Sequence, residues 1–352
     1  MNLYIYDKNL DVVSVIDAYS SLIWTKKHYE YGDFELYLPA SLANFDYLKK
    51  DYLIKREDDE TVMIIEKIQI DTDSEAGNFV TVTGRSLESI LARRIIWEQT
   101  TVTGTPENRI RKLIDLSIVN PTIDNRKISN FSLNSAHNYT GTSENAQYTG
   151  DNLYDIVSET CKANGLGFCV KLVEKNFVFD ILKGSDFSYN QTKNPYVVFS
   201  PYFENLISSE YYSDKTDFAN IARIFGEGEG TNRKWLNHGS TKSGLERYEL
   251  YVDARDISQN SGSDDAISDS DYYALLKQRG IEKLAECKEI TQFSGTISTV
   301  SSYQYKTDYN VGDTVQTENE YGFKEAVKIT EITESFDENG YTVTPTFETN
   351  ED

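Results

Sequence analysis

The chain has 352 residues, which is long for one ordinary domain, and its hydrophobic content of 39% is enough for real cores. A formal net charge of −22 argues against a protein that grips nucleic-acid backbones, because phosphate contacts need clustered Lys and Arg. The three cysteines, Cys161, Cys169 and Cys287, have no CxxC spacing and read as reduced residues of a chain folded in a cytoplasm. The N-terminus carries no basic-then-apolar leader, and no apolar run approaches membrane-spanning length.

With 25 Tyr and 16 Phe against 2 Met, the composition favours strands. LYIYD, VVSVID, SLIWTKK, FELYLP, YLIKR, VMIIEKIQID and NFVTVTG alternate like antiparallel sheet, separated by polar or Gly-containing turns. Ser86 then reads as the cap of a helix that aligns Leu87, Ile90, Leu91 and Ile95. Residues 1–100 are therefore expected to form a compact β-barrel or sandwich, the first tube-like domain, with a closing helix.

From Thr101 the character changes. Thr105 followed by Pro106 is a cap and first-turn proline, after which Ile110, Leu113, Ile114 and Ser117 share a face. Asp151 is positioned to cap a second helix with Leu153, Ile156, Val157 and Cys161 aligned, ended by Gly165. GFCVKLV and NFVFDIL read as a hairpin. Residues 101–195 are expected to be an α+β domain.

Strands resume in YVVFSP, NLISSEYY and NIARIFG, and return after residue 290 in GTISTVSSY, DTVQTEN, EAVKITEIT and YTVTPTF. Residues 196–230 and 291–349 are expected to form a second barrel. An insertion, 231–290, splits it and contains a helix from about Asp271 to Cys287 with Leu275, Leu276 and Leu284 apolar. The expected fold class is thus β-rich α+β: two tube-like β-barrel domains, an intervening α+β domain and the insertion.

The two strand-rich regions match each other. Leu22-Ile23 precedes Asp33-Phe34 as Leu206-Ile207 precedes Asp217-Phe218. VMIIEKIQIDTDSEAGNFVTVTG resembles EAVKITEITESFDENGYTVTPTF, with Gly77 and Gly340 in the turns. Asp51 and Leu53 open the strand before the first hairpin as Asp313 and Val315 do before the second. Three matches in one order point to duplication.

Signatures of chemistry are missing. His28, His137 and His238 are far apart and outside any zinc spacing, and no GxSxG, GxxxxGK[ST] or thiol-protease pattern occurs. DTDSEAG fails as a calcium loop because Ala76 and Val82 stand where glycine and a carboxylate are needed. GEGEG, Gly226 to Gly230, has no following helix to cradle a phosphate and reads as a flexible exit into the insertion. No catalytic residue, cofactor or metal site is expected.

SSLIWTKKHYEYGDFELYLPA, VTGRSLESILARRII, NGLGFCVKL, FENLISSEYY, LERYELYVDARDI, DYNVGDTVQTEN and VKITEITES…GYTVTPTFE occur in that order. Together they resemble tail-tip or baseplate hub proteins of siphophages and prophages of Gram-positive bacteria, a family similar to the baseplate hubs of contractile phages. The resemblance runs from about residue 3 to residue 348. It implies a non-enzymatic virion component: a homotrimeric, pseudo-six-fold ring of tube-like barrels at the tail tip, made in the host cytoplasm. Its implied partners are its own copies, the distal tail protein or tail tube, and tip, spike or receptor-binding proteins, with no specific nucleic-acid binding and no membrane insertion. Longer relatives carry fibre or wall-degrading extensions, whose activities are not carried over to a chain ending at Asp352. The acidic turns at Asp71, Asp73, Glu75, Asp337 and Glu338 read either as solvated turns or as the lining of a DNA-conducting lumen. Competing readings are a wall-carbohydrate module using Trp24, Trp97 and Trp235, and a tail-associated wall hydrolase.

Overall fold

The period-two runs of the first hundred residues become seven strands, because alternate side chains on such runs bury one face of a sheet. These are β1 (Leu3–Tyr6), β2 (Val12–Ile16), β3 (Ser21–Lys27), β4 (Asp33–Pro39), β5 (Leu53–Arg56), β6 (Val62–Asp73) and β7 (Gly77–Ser86). In this computed structural model, the structure describes residues 1–43, 45–73, 75, 77–259, 267–297, 303–322 and 324–349, with the backbone alone for 291–296 and 349. Ala76 of the rejected calcium loop, residues 260–266 and the part of GTISTVSSY from 298 to 302 lie outside these residues.

Two compact units divide the chain. The first contains residues 1–89, 167–212 and 291–352, and the second residues 90–166 and 213–290. In the first unit the strands pair in the order β3-β4-β7-β6-β5-β1-β2, around a core that includes Leu3, Ile5, Trp24, Phe34, Ile54, Ile65 and Val82. The second half of the sheet pairs Leu206–Asp214, Ile290–Ile297, Gly340–Thr349, Lys324–Asp337 and Thr314–Glu318 in that order. Its core includes Phe199, Tyr309, Val315, Ile329, Ile332 and Phe347.

The order β3-β4-β7-β6-β5 is therefore built twice. The hairpins agree in detail: β6 bulges between Ile65 and Lys67, and its counterpart bulges between Ile329 and Glu331. Gly77 and Gly340 occupy the turns with φ of 94° and 114°, a region open to glycine at no steric cost.

Two expected correspondences change. Asp51 donates its backbone N–H to Ile65 O and has φ 66°, and Gly312 makes the same bond to Ile329 O with φ 94°. Asp51 thus matches Gly312, one residue before the expected Asp313. Asp217 and Phe218 lie in a turn, and Ile290–Ile297 takes the place that β4 holds in the first half.

The expected closed barrels are corrected as well: among the described residues no sheet closes. β3, whose outer edge would have to meet β2 to close the first half, pairs instead with residues 331–336, so both halves form one open sheet.

In the second unit, α1 (Pro106–Ile114) starts at Thr105, whose hydroxyl accepts from Asn108 N, and runs on into a wider turn that buries Ser117. α2 (Leu153–Ala163) is capped by Asn152, which accepts from Tyr154 N, and not by Asp151, whose carboxylate accepts from Thr149 N. α3 (Asp269–Glu286) is capped by Ser268. It packs Tyr272, Leu275 and Leu276 with Ala222, Ile224 and Val252. Ile221–Phe225, expected in the second barrel, is the middle strand of a separate sheet with Trp235–Gly239 and Glu249–Asp253. Ser86, expected as a helix cap, ends β7, where its hydroxyl accepts from Gly32 N. The turn after it, Leu87–Arg93, is a 3-10 helix that buries Leu87, Ile90 and Leu91 but leaves Ile95 exposed.

Candidate assembly interface

The joint between the two halves of the sheet is antiparallel, with Lys27 opposite Glu331, Thr25 opposite Thr333, Trp24 opposite Glu334 and Leu22 opposite Phe336. Lys27 Nζ lies 3.3 Å from Glu331 Oε2. This pair is half-exposed and adds little stability.

Beneath it lies a buried charge network. Arg56, 0% exposed, ends β5 and reaches Asp58 through Nε at 2.9 Å and Nη2 at 2.7 Å. It also reaches Glu334, 1% exposed, at 3.0 Å and 2.9 Å. The guanidinium carbon stands 4.6 Å from the Phe336 ring centre and 5.7 Å from that of Trp24. Tyr341 donates its hydroxyl to Glu334 Oε1 at 2.8 Å. Beside this cluster, Asp59 takes Lys26 Nζ at 2.6 Å and Lys306 Nζ at 2.7 Å. Arg56, Asp58, Asp59 and Lys26 come from the first half and Glu334, Phe336, Tyr341 and Lys306 from the second, so the network welds the halves together.

Electrostatically Asp59 is settled near neutral pH. Burial alone would push the Asp59 carboxyl up, but the charges and hydrogen bonds of Lys26 and Lys306 outweigh it and hold the group well below the usual carboxylate range. Burial pulls the Lys26 ammonium somewhat down even though Asp59 favours its charge. Burial and then the Glu334 charge push the Tyr341 hydroxyl far up. An Asp59 carboxylate so firmly paired is a poor proton carrier; what the arrangement does is fix one sheet half on the other.

The acidic hairpin tips share one construction. Asp73 Oδ1 accepts from Glu75 N at 2.7 Å, and Asp337 Oδ1 accepts from Asn339 N at 2.7 Å. Asp71 is exposed and takes the Gln69 side-chain amide at 3.2 Å. The register puts Phe336 at the Leu22 end of β3, and β4 and β7 carry that end to Phe79, opposite Asp71. Asp71, Asp73, Glu75, Asp337 and Glu338 are thereby brought to the same end of the sheet. Near the second tip a recess is lined by Tyr19, Ser21, Tyr37, Phe336 and Glu338, among others.

Of the three tryptophans weighed for carbohydrate contact, Trp24 is fully buried. Trp97 and Trp235 are exposed, with Arg126 and Arg223 over their rings. No motif in the sequence marks this network. Its only linear trace is the run Arg56 to Glu60 between two apolar strands.

The whole chain has the fold of phage tail proteins. It aligns with the tail protein from Neisseria meningitidis MC58 at a TM-score of 0.60 and 12% identity, covering 99% of this chain and 96% of that one. The prophage MuSo2 43 kDa tail protein from Shewanella oneidensis aligns at 0.57 and 11%, covering 99% and 98%. Prophage tail protein gp18 from Listeria monocytogenes EGD-e aligns at 0.54 and 10%, covering 100% and 96%. No curated protein sequence matches. The family model for the Siphovirus ReqiPepy6 Gp37-like protein matches residues 2–347, and the chain belongs to that family.

Proposed function

We propose that this protein is the structural hub of a phage or prophage tail tip, a homotrimeric ring that joins the tail tube to the tip and lets DNA pass. The observation that carries this reading is the strand order built twice in one chain and joined edge to edge. Two tube-like modules per chain let three chains present six similar faces to a six-fold tube and three-fold symmetry to a tip, and contacts between unlike edges close into such rings. Membership of the family and the tail-protein fold support a structural tail component. Its partners are the distal tail protein or tail tube on one side and a tip, spike or receptor-binding protein on the other.

The hairpin tips at Asp71, Asp73, Glu75, Asp337 and Glu338 would face the channel, where like charge keeps DNA from sticking. Electron cryo-microscopy of the assembled tail tests this reading. Three copies at the tip, with these tips around the lumen, are expected; a chain located elsewhere in the virion, or a neutral or basic lumen, contradicts it.

A further inference from the structure

The separate sheet of the second unit has two faces of different character. Its middle strand, Ile221–Phe225, pairs with Trp235–Gly239 on one side and Glu249–Asp253 on the other. Ala222, Ile224 and Val252 lie on the buried face, in one cluster with Tyr272 and Leu276 of α3. The residues that alternate with them stand on the opposite face. There they make two cross-strand rows: Trp235 with Phe225 and Asp253, and Asn237 with Arg223 and Tyr251. Trp235 is 46% and Tyr251 59% exposed, and Asn237, Arg223 and Asp253 are exposed as well.

Rings and cations alternate on this face. The Arg223 guanidinium carbon stands 3.9 Å from the Trp235 ring centre and covers one side of that ring. That of Arg233 stands 5.0 Å from the Phe225 ring centre, and the Phe225 and Tyr251 rings lie 5.4 Å apart. Arg233 and Arg255 share Asp253, at 3.1 Å and 2.5 Å, and Arg247 takes Glu249. Arg223 makes no ion pair among the described residues. Four guanidinium groups thus face two carboxylates, a local excess of two positive charges on a chain whose total is −22.

We propose that this face binds a sugar chain bearing phosphate monoesters, with sugar rings stacked on Trp235 and Tyr251 and a phosphate held by Arg223. Sugar rings carry C–H groups on their faces and hydroxyls at their rims, which suits exposed aromatic rings set beside Asn237 and Asp253. Trp235 and Tyr251 are two strands and two residues apart, which puts their Cα atoms about 12 Å from each other. That span exceeds one sugar ring, so the ligand is a chain. Its substituent follows from the charge: a phosphate monoester brings about two negative charges near neutral pH, matching the excess, where a carboxylate brings one. The planar guanidinium fork of Arg223 fits phosphate oxygens two at a time. Repulsion from the acidic remainder of the chain is screened beyond about 8 Å at physiological salt, so the local excess decides. A nucleic-acid backbone fits poorly, because one unpaired arginine cannot follow a run of phosphates. The site stands independently of the ring reading.

The test is isothermal titration calorimetry of the full chain with phosphorylated mannopentaose, with the same oligosaccharide lacking phosphate, and with inorganic phosphate. The phosphorylated sugar is expected to bind at least about tenfold more tightly than either control, and to weaken as salt is added. Trp235→Ala and Arg223→Gln are each expected to weaken it about tenfold, while Trp235→Phe keeps most of the affinity. Tyr321→Ala, at an exposed tyrosine outside this sheet, should leave it unchanged. All these side chains are exposed, so the variants should keep the wild-type unfolding midpoint. No binding of the phosphorylated sugar overturns the inference. Equal binding of either control does so too, as does affinity undiminished by Trp235→Ala or by Arg223→Gln.

Discussion

Replacing Arg56 with alanine is expected to cost about 3–5 kcal/mol, because it leaves Glu334 as an uncompensated buried charge. The guanidinium makes bidentate contact with both Asp58 and Glu334 and lies against the Phe336 and Trp24 rings, so packing and charge are lost together. Urea unfolding followed by tryptophan fluorescence measures the effect. The chain has two compact units, so the signal should come from Trp24 alone, in a background with Trp97→Phe and Trp235→Phe. The double variant Arg56→Met with Glu334→Leu is expected to regain most of the loss, since apolar groups of similar volume can replace a buried ion pair. If the single variant unfolds at the wild-type midpoint, the network is not what joins the sheet halves.

Asp59→Asn is expected to cost about 3 kcal/mol at pH 7, and the gap from wild type should shrink as the solution is acidified. The carboxyl is held well below its ordinary value in the folded protein by Lys26 and Lys306. A depressed carboxyl contributes stability that is complete above its unfolded value, near pH 4. That contribution is lost as pH falls toward the folded value, where the unfolded chain binds a proton that the native one does not. Asparagine has no proton to take up, so its variant should lack this part of the acid dependence. A wild-type-to-variant gap that stays constant from pH 7 down to pH 3 would show that Asp59 does not carry it.

Much of the sheet is legible in the sequence because strand alternation is a local signal. The paired hairpins could be matched from VMIIEKIQIDTDSEAG and EAVKITEITESFDENG, and the structure places a bulge at the same point of each. Closure is not local: alternation tells which side chains share a face but not which edge meets which, and the edge of β3 goes to a strand some three hundred residues away. The network was invisible for the same reason. Arg56 and Glu334 are each ordinary strand residues until the joint brings them together.

The smaller differences between sequence and structure have equally physical causes. Asp51 and Asp313 share a residue type, whereas the feature that the two halves share is a left-handed backbone, which Asp51 tolerates and Gly312 adopts freely. Asp151 and Asn152 are both good helix caps, and only the backbone path decides between neighbours. Asp217 and Phe218 repeated a dipeptide, while the topology assigned the matching place to Ile290–Ile297.

The claim that two similar modules per chain exist to build a ring from three chains is tested most directly by the native mass of the purified protein across a range of concentrations, alone and with the neighbouring tail proteins. A closed species of three chains that becomes dominant as concentration rises or when a neighbour is added is the expected result. Monomers at every concentration, with no binding to those neighbours, would contradict it.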